Sequence, residues 1–177
     1  AGDWGGPANG EVHSFSSALI SNPAQELSLA LASFKNKKDT SINIQNFHIE
    51  DKNSVEEDNE LITKLLERLD PKVMLDDCGS FVFKHKSFEE ALKSHILRPE
   101  INVSGISSGY ANLNGHKAII PNDAIANLDI RLVDKMTPNQ VIKSIREHLN
   151  VNGLKHVEII WSEGGYSGGK THVNNWA

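Results

Sequence analysis

The residues from Ala124 to Val133 alternate between apolar and polar side chains. One face of this stretch carries Ala126, Leu128, Ile130 and Leu132, and the opposite face carries Asn127, Asp129 and Arg131. A period of two is typical of a β-strand, and a strand with one apolar and one polar face belongs to a sheet that is covered on one side only. The stretch therefore predicts an open-faced sheet whose other side is covered by helices.

Four segments begin with signals that start helices. They are Asn22-Pro23, Ser54-Val55-Glu56-Glu57, Ser87-Phe88-Glu89-Glu90 and Thr137-Pro138-Asn139-Gln140. Each has a capping residue that is followed by proline at the first helical position or by a glutamate or glutamine three residues later. We predict a helix after each signal, and the second of these helices ends at Asp70-Pro71 because proline breaks helices.

The remaining apolar segments predict strands near residues 11–16, 101–106, 118–133 and 157–161. The order is then strand, helix, long insertion, strand, strand, helix, strand. Without the insertion this is βαββαβ, a ferredoxin-like α+β fold with a four-stranded antiparallel sheet and two helices on one face. Residues 1–34 and 101–161 form its two halves. Residues 35–100 form a helical insertion, with short strands near 42–44 and 72–75, and the glycine-rich residues 162–177 form a linker.

Composition excludes several classes of protein. The formal net charge of −5 argues against a nucleic-acid or anionic-membrane surface, which needs a basic face. No apolar run approaches the roughly 20 residues of a membrane span. The single cysteine, Cys78, excludes an internal disulfide framework, and no signal-peptide pattern is visible at the start of the sequence. We therefore expect a cytoplasmic protein.

Two groups of motifs resemble the lid, or dimerisation, domain of the M20 zinc metallopeptidases of the carnosinase and aminoacylase type. The first group is Gly5-Gly6-Pro7, Val12-His13-Ser14 and Asn22-Pro23-Ala24. The second runs from Arg98 to Ile106 through Ser108-Gly109-Tyr110, and then through residues 120–124 to Asp129-Ile130-Arg131-Leu132-Val133. Together they cover nearly the whole chain in the order of the family. The insertion begins where the dipeptidase branch carries its own.

The sequence departs from the family pattern at four places. Phe15 stands where glycine is common, and Ser16-Ser17 replace a glycine pair. Ala118 stands where relatives have an asparagine or threonine that helps to hold substrate. Asp134 stands where proline is usual. These departures leave the substrate class open.

The resemblance implies that the parent protein hydrolyses peptide or N-acyl amide bonds with a pair of zinc ions. In such enzymes the metal pair activates water, and the lid closes over the substrate. The metal ligands belong to a separate catalytic domain, and the eight histidines of this chain follow no ligand pattern. We therefore expect no metal site here and an isolated domain that is inactive. The implied partners are the catalytic domain and a second lid in a homodimer, unless the insertion imitates that second lid.

The resemblance also assigns roles to two residues. His13 matches a histidine that donates a hydrogen bond to the oxyanion of the tetrahedral intermediate, often from the partner subunit. Arg131 matches an arginine that binds the C-terminal carboxylate of the substrate, for which a planar guanidinium is suited. The alternatives are a solvated histidine at a strand end and a surface ion pair between Arg131 and Asp129.

Three other functions are compatible with parts of the sequence. A stand-alone ferredoxin-like module that binds a small ligand explains the order of elements equally well. Residues 164–171 match the nucleotide-binding pattern G-x-x-x-x-G-K-[ST], although the following residues are a poor helix start. Cys78 has the residue type of a nucleophile, but no histidine stands at a spacing that indicates a partner.

Overall fold

The computed structural model describes residues 3–48, 55–112, 114–160 and 165–171. The strands are β1 (Val12–His13), β2 (Glu100–Ser108), β3 (Ile119–Ile120) and β4 (Ala124–Arg131). The helices are α1 (Pro23–Ser33), α2 (Val55–Leu66), α3 (Pro71–Asp77), α4 (Phe88–Leu97) and α5 (Pro138–Val151), with a 3-10 helix at Ser14–Ala18. The chain is thus a mixed α and β structure, as predicted.

The described strands pair in two antiparallel pairs. Strand β1 pairs with β3, with Val12 opposite Ile120 and His13 opposite Ile119. Strand β2 pairs with β4, and the Ser104 hydroxyl donates a hydrogen bond to the Asn127 carbonyl across this pair at 3.3 Å. Along β4 the residues alternate between exposed and half-buried as far as Ile130, as the period of two predicted. A single four-stranded sheet is not among the pairings of the described residues.

Three of the predicted strands differ from the structure. The first is only two residues long because the chain turns into a 3-10 helix at Ser14. The stretch 118–133 is broken into β3 and β4 by residues 121–123, where Pro121 has no N–H to donate. Residues 157–160 do not form a strand, and Trp161 lies outside the described residues. Just before them, the His156 ring stacks on Trp4 with centroids 4.7 Å apart.

Helix starts were predicted well because capping is local. The Asn22 side chain accepts a hydrogen bond from the Ala24 N–H at 2.9 Å, and Pro23 is the first residue of α1. The Ser87 hydroxyl likewise accepts from the Glu90 N–H at 3.1 Å at the start of α4. The corresponding Ser54 lies outside the described residues.

The pair Asp70-Pro71 was predicted to end a helix, and this was wrong in one respect. Helix α2 has already ended at Leu66, and Asp70 caps a new helix by accepting a hydrogen bond from the Lys72 N–H at 2.7 Å. Residues 72–75 are therefore helical, not a strand, and the described part of the insertion contains three helices. Proline is compatible with the first turn of a helix because its missing N–H would have no partner there.

The chain divides into two compact units. The first comprises Ala1–Phe47, Ile101–Ile130 and Asn139–Gly165. Its buried side chains come from α1, α5, the segment after α1 and the strands. They are Ala30, Phe34, Ile44, Phe47, Ile101, Ile120, Val141, Ile145, Leu149 and Leu154. The Ser144 hydroxyl, also buried, donates to the Asn46 carbonyl at 3.1 Å, so this core contains a satisfied polar contact.

The second unit comprises His48–Glu100, Arg131–Pro138 and Tyr166–Ala177. Helices α2 and α4 pack against each other in this unit. Ile62 of α2 and Leu92 of α4 are both only 1% exposed, so they form the centre of its core. In the described part of the chain, no helix combines the length and apolar character that crossing a bilayer requires.

Candidate functional site

His13 lies in the first unit at the end of β1. Strand β1 is fixed by its pairing with β3, and the Ser14 N–H extends the ladder by one bond to the Ala118 carbonyl at 2.9 Å. The imidazole is exposed to solvent. Ala118 therefore immediately precedes Ile119, the residue opposite His13.

A nearby backbone N–H selects one tautomer of the neutral His13 ring. The Phe15 N–H donates a hydrogen bond to His13 Nδ1 at 3.1 Å. A neutral imidazole has one donor and one acceptor nitrogen, so Nε2 must carry the proton. This leaves an exposed N–H donor at the far side of the ring. The sequence predicted either an oxyanion donor or a solvated histidine at a strand end, and an exposed ring at the end of β1 is compatible with both.

The residues around His13 are mostly apolar or paired. Ile119 is directly opposite His13, and directly opposite residues point to the same face of a sheet. Glu11 and Lys117 lie on the same two chain segments, and Lys117 Nζ is 3.7 Å from a Glu11 carboxylate oxygen. The same ammonium group lies 5.3 Å from the centre of the Tyr110 ring.

Arg131 lies in the second unit, at the end of β4. Its Nη2 donates hydrogen bonds to the carbonyls of Ser94 and Arg98, both at 2.8 Å, and its Nη1 lies 3.3 Å from His95 Nδ1. These three groups belong to the last turn of α4 and the residue after it. A cation is favourable there because the carbonyls at a helix C-terminus have no partners within the helix.

The contacts of Arg131 with the end of α4 limit the ways in which its guanidinium could bind a carboxylate. A guanidinium can offer two parallel N–H groups either from Nη1 with Nη2 or from Nε with Nη2. Both pairs use Nη2, whose two hydrogens are directed to the α4 carbonyls. Its Nε is buried without a hydrogen-bond partner among the described residues. A carboxylate therefore either bonds to Nη1 alone or displaces a carbonyl from Nη2.

The nucleotide-binding pattern does not produce a phosphate site in the described residues. The ammonium group of Lys170 forms an ion pair with Asp58 of α2. The Gly168 N–H donates to the Met136 carbonyl at 2.9 Å, and residues 165–171 contain no helix. A phosphate loop needs a helix whose N-terminal amides face the phosphate. Its first glycine, Gly164, lies outside the described residues.

The other candidate groups give no reactive site. Among the described residues, no group of three or more His, Cys, Asp or Glu side chains could hold a metal ion. Cys78 is exposed at the end of α3. His148 and Ser33 are 2.9 Å apart, but the Ser33 hydroxyl donates its hydrogen to the Ala30 carbonyl. The hydroxyl therefore accepts from His148, opposite to a nucleophile and its base.

Two contacts of the site residues were not predicted from the sequence. Ile119 is 106 positions from His13, and His95 is 36 positions from Arg131. Periodicity identifies the face on which a strand residue lies, but it does not identify the partner strand or helix. The contact of Arg131 with Ser94, His95 and Arg98 at the end of α4 was also not predictable from the sequence. Basic residues that bind the last carbonyls of a helix usually lie near the end of that same helix.

A protein-family model matches most of the chain. A sequence model described as the peptidase dimerisation domain, M20_dimer, matches residues 11–157. A search of curated proteins found no match.

Three solved structures are similar in fold. An M20 family metallo-carboxypeptidase from Sulfolobus solfataricus has 25% identity and a TM-score of 0.70, and the match covers 84% of this chain and 38% of that protein. Human carnosine dipeptidase 1 has 21% identity and a TM-score of 0.68, covering 85% and 32%. The dipeptidase Dug1p from Saccharomyces cerevisiae has 17% identity and a TM-score of 0.63, covering 83% and 30%. The chain thus spans about a third of each.

Proposed function

This chain belongs to the M20 peptidase dimerisation-domain family, and on that basis we propose that it is the lid domain of a longer zinc-dependent hydrolase. The proposed reaction is hydrolysis of peptide or N-acyl-amino-acid amide bonds. The observation that carries the proposal is the match of the peptidase dimerisation-domain model to residues 11–157. The hydrogen bond from the Phe15 N–H to His13 Nδ1 supports a donor role for His13 Nε2–H within it. The fold of a dipeptidase and of a metallo-carboxypeptidase supports it.

His13 acts in this proposal as an oxyanion donor. Attack on an amide carbonyl places negative charge on its oxygen, and a fixed N–H that reaches this oxygen stabilises the transition state. Removal of one such donor from an enzyme lowers the rate by a factor of about 10²–10³. The Phe15 hydrogen bond supports this role because it holds the ring in the tautomer that the reaction needs.

Arg131 binds the carboxylate of the substrate in this proposal. The support is its position at the end of β4 and its Nη1, which has a second hydrogen beyond the contact with His95. The two Nη2 bonds to the end of α4 orient the group. We propose that the carboxylate is bound through Nη1, because this requires no change in α4.

The proposed organisation of the parent follows the family. Residues 1–34 and 101–161 form the lid as a four-stranded ferredoxin-like domain, residues 35–100 form an insertion, and residues 162–177 lead to the catalytic domain. The packing of α2 on α4 supports a separate core within the insertion. Residues 35–47 of the insertion, with the buried Ile44 and Phe47, belong to the first unit. A second lid in a homodimer is the proposed partner.

The described residues do not fit a zinc pair, since they offer no cluster of potential ligands. We therefore assign the metal pair to the parent's catalytic domain and derive no step through it. The contributions of this chain are the binding and orientation of substrate and a hydrogen-bond donor.

The test is the activity of the full-length protein on dipeptides and N-acylamino acids, with and without a chelator. We expect chelator-sensitive hydrolysis, and a fall in kcat of about 10²-fold for His13→Gln. His116→Gln is the matched control because His116 is also an exposed histidine of the first unit. Absence of amide hydrolysis in the wild type would favour a stand-alone binding module instead. Unchanged kcat in His13→Gln would remove the catalytic role of His13.

A further inference from the structure

We propose that Phe15 and Ile119 form an apolar specificity element beside His13. This element selects substrates that carry an apolar group next to the scissile amide bond. The inference rests on the proposed function and deepens it, since it names the chemistry of the substrate. A hydrophobic acyl chain and a hydrophobic amino-acid side chain share this chemistry.

Phe15 is tied to the proposed oxyanion donor by its backbone. Its N–H is 3.1 Å from His13 Nδ1, so its Cα lies within about 5 Å of the imidazole, given an N–Cα bond of about 1.46 Å. The side chain is 87% exposed. The 3-10 helix that carries it is closed by a bond from the Leu19 N–H to the Ser16 carbonyl at 2.9 Å. An exposed aromatic side chain is therefore carried by a residue whose backbone contacts the imidazole.

Ile119 supplies the second apolar side chain. It lies directly opposite His13 in the β1–β3 pair, and the Cβ atoms of such a pair are about 4.5–5.5 Å apart on the same face. Behind it, a Cβ added at Gly109 would lie 4.0 Å from Ile119 Cδ1 and 3.3 Å from Pro121 Cβ. Gly109 has a φ of 54° and lets the chain approach this closely. Ile119 is thus backed by a tightly packed turn.

The nearby charges do not oppose an apolar ligand. Glu11 and Lys117 lie two residues before His13 and Ile119, and their charged groups are 3.7 Å apart. They partly neutralise each other, and the Lys117 ammonium also faces the Tyr110 ring. A polar group of a substrate would have to compete with these contacts, whereas an apolar group gains from contact with Phe15 and Ile119.

The position of the His13 Nε2–H donor indicates which part of the substrate would contact Phe15 and Ile119. A carbonyl oxygen bonded to His13 Nε2–H lies across the ring from the Phe15 backbone. In this inference the groups on either side of the scissile bond extend along the ring to the side chains of residues 15 and 119. Burial of an apolar group there removes water from both side chains. A polar group of the same size loses its water without a new partner, which is the basis of selectivity in such sites.

The experiment uses the full-length, metal-loaded enzyme and the nearly isosteric pair leucine and asparagine. The dipeptides Leu-Gly, Asn-Gly, Gly-Leu and Gly-Asn test each side of the bond, and N-hexanoylglycine against N-acetylglycine tests an acyl chain. We expect the wild type to prefer the apolar member of at least one pair in kcat/KM by tenfold or more. Phe15→Ala and Ile119→Thr should each reduce that preference about three- to tenfold.

The controls separate specificity from folding. Phe15→Leu should restore most of the preference because it restores apolar area. Leu29→Ala, on the exposed surface of α1, should leave the preference unchanged. Active wild-type enzyme with no preference, or with a preference that survives Phe15→Ala, overturns this inference and leaves the proposed function intact. An equal fall for all substrates also overturns it, and assigns Phe15 to packing against the parent's catalytic domain. Inactive wild type overturns both proposals.

Discussion

A guanidinium that caps a helix has fewer hydrogens left for a ligand, and Arg131 is in this position. Its two Nη2 hydrogens are directed to the carbonyls of Ser94 and Arg98. The sequence predicted a polar-face arginine that binds a substrate carboxylate, with a surface ion pair to Asp129 as the alternative. The structure instead places it against a helix that is distant in sequence. The residue thus has a structural contact that is observed and a binding role that is proposed.

These two roles of Arg131 predict separate effects of Arg131→Lys. Lysine keeps the charge but has no planar group that reaches two carbonyls, so we expect the free energy of unfolding to fall by about 1–2 kcal/mol. In the proposed full-length enzyme we expect KM to rise with a smaller change in kcat, since a carboxylate bound by Arg131 would contact it in both ground and transition states. Urea unfolding and steady-state kinetics measure the two effects.

Arg146→Lys on the exposed surface of α5 is the matched control and should change neither quantity. A variant Arg131→Lys with unchanged unfolding would contradict the helix contact. One with unchanged KM would remove the carboxylate role.

His148 makes the stability of the first unit depend on pH. Burial lowers the pKa of His148 from its usual 6.5, and a hydrogen bond with Ser33 partly opposes this. The unfolded chain therefore binds a proton here more readily than the folded chain. Stability from this residue is present above about pH 6.5 and is lost as the pH falls through the lowered pKa.

The measurement is urea unfolding of the wild type and His148→Gln between pH 7.5 and pH 5. Glutamine does not titrate, and its amide can still donate to the Ser33 hydroxyl. We expect the wild type to lose more stability on acidification than the variant. Equal losses would show that His148 has the same pKa in the folded and unfolded chains.

The helix caps and strand pairings could be predicted only when the interacting residues lie close together in the sequence. The caps of α1 and α4 involve residues two or three apart, and both were predicted correctly. The same kind of signal at Asp70-Pro71 was interpreted as an end instead of a start, because the apolar stripe before it continued to Leu69. The pairing of β1 with β3 joins residues more than 100 positions apart. Local periodicity contains no information on such a partner.

The segment 165–171 contains the sharpest steric constraint. A Cβ on Gly168 would lie 1.7 Å from the Val133 carbonyl oxygen, whereas a Cβ on Gly169 would meet nothing within 4 Å. We therefore expect Gly168→Ala to lower the free energy of unfolding by about 1–3 kcal/mol, the usual cost of forcing extra atoms into a packed site. Gly169→Ala, one residue away, is the control and should be near neutral.

Urea unfolding of both glycine variants measures this difference. Equal stability of the two would show that residues 165–171 do not pack on the 131–138 segment. The composition alone predicted only a glycine-rich linker, because close approach of two backbones leaves no pattern in the sequence beyond glycine itself.

The chain spans about a third of the length of the three solved structures that it resembles. The family and the mixed α and β class were predicted from motifs in order along the chain, and both are confirmed. The single four-stranded sheet was not confirmed, since a sheet is assembled from distant segments whose lengths are set by packing.

We expect the isolated chain to hydrolyse no dipeptide and to keep the same melting temperature after treatment with a chelator, because its described residues offer no ligand cluster. The full-length enzyme should lose activity with the chelator and regain it with zinc. Thermal unfolding and elemental analysis make the comparison. One or two zinc ions per isolated chain would contradict this assignment.

The contact between Arg131 and the end of α4 has a reciprocal consequence. A ligand that accepts a hydrogen bond from Nη2 in place of one of these carbonyls leaves that carbonyl exposed to water. The affinity for the ligand and the order of the last turn of α4 are therefore thermodynamically linked. A variant that frays α4 would then increase the affinity for such a ligand, and the ligand would in turn accelerate amide exchange in α4. A carboxylate held by Nη1 alone would leave amide exchange in this helix unchanged.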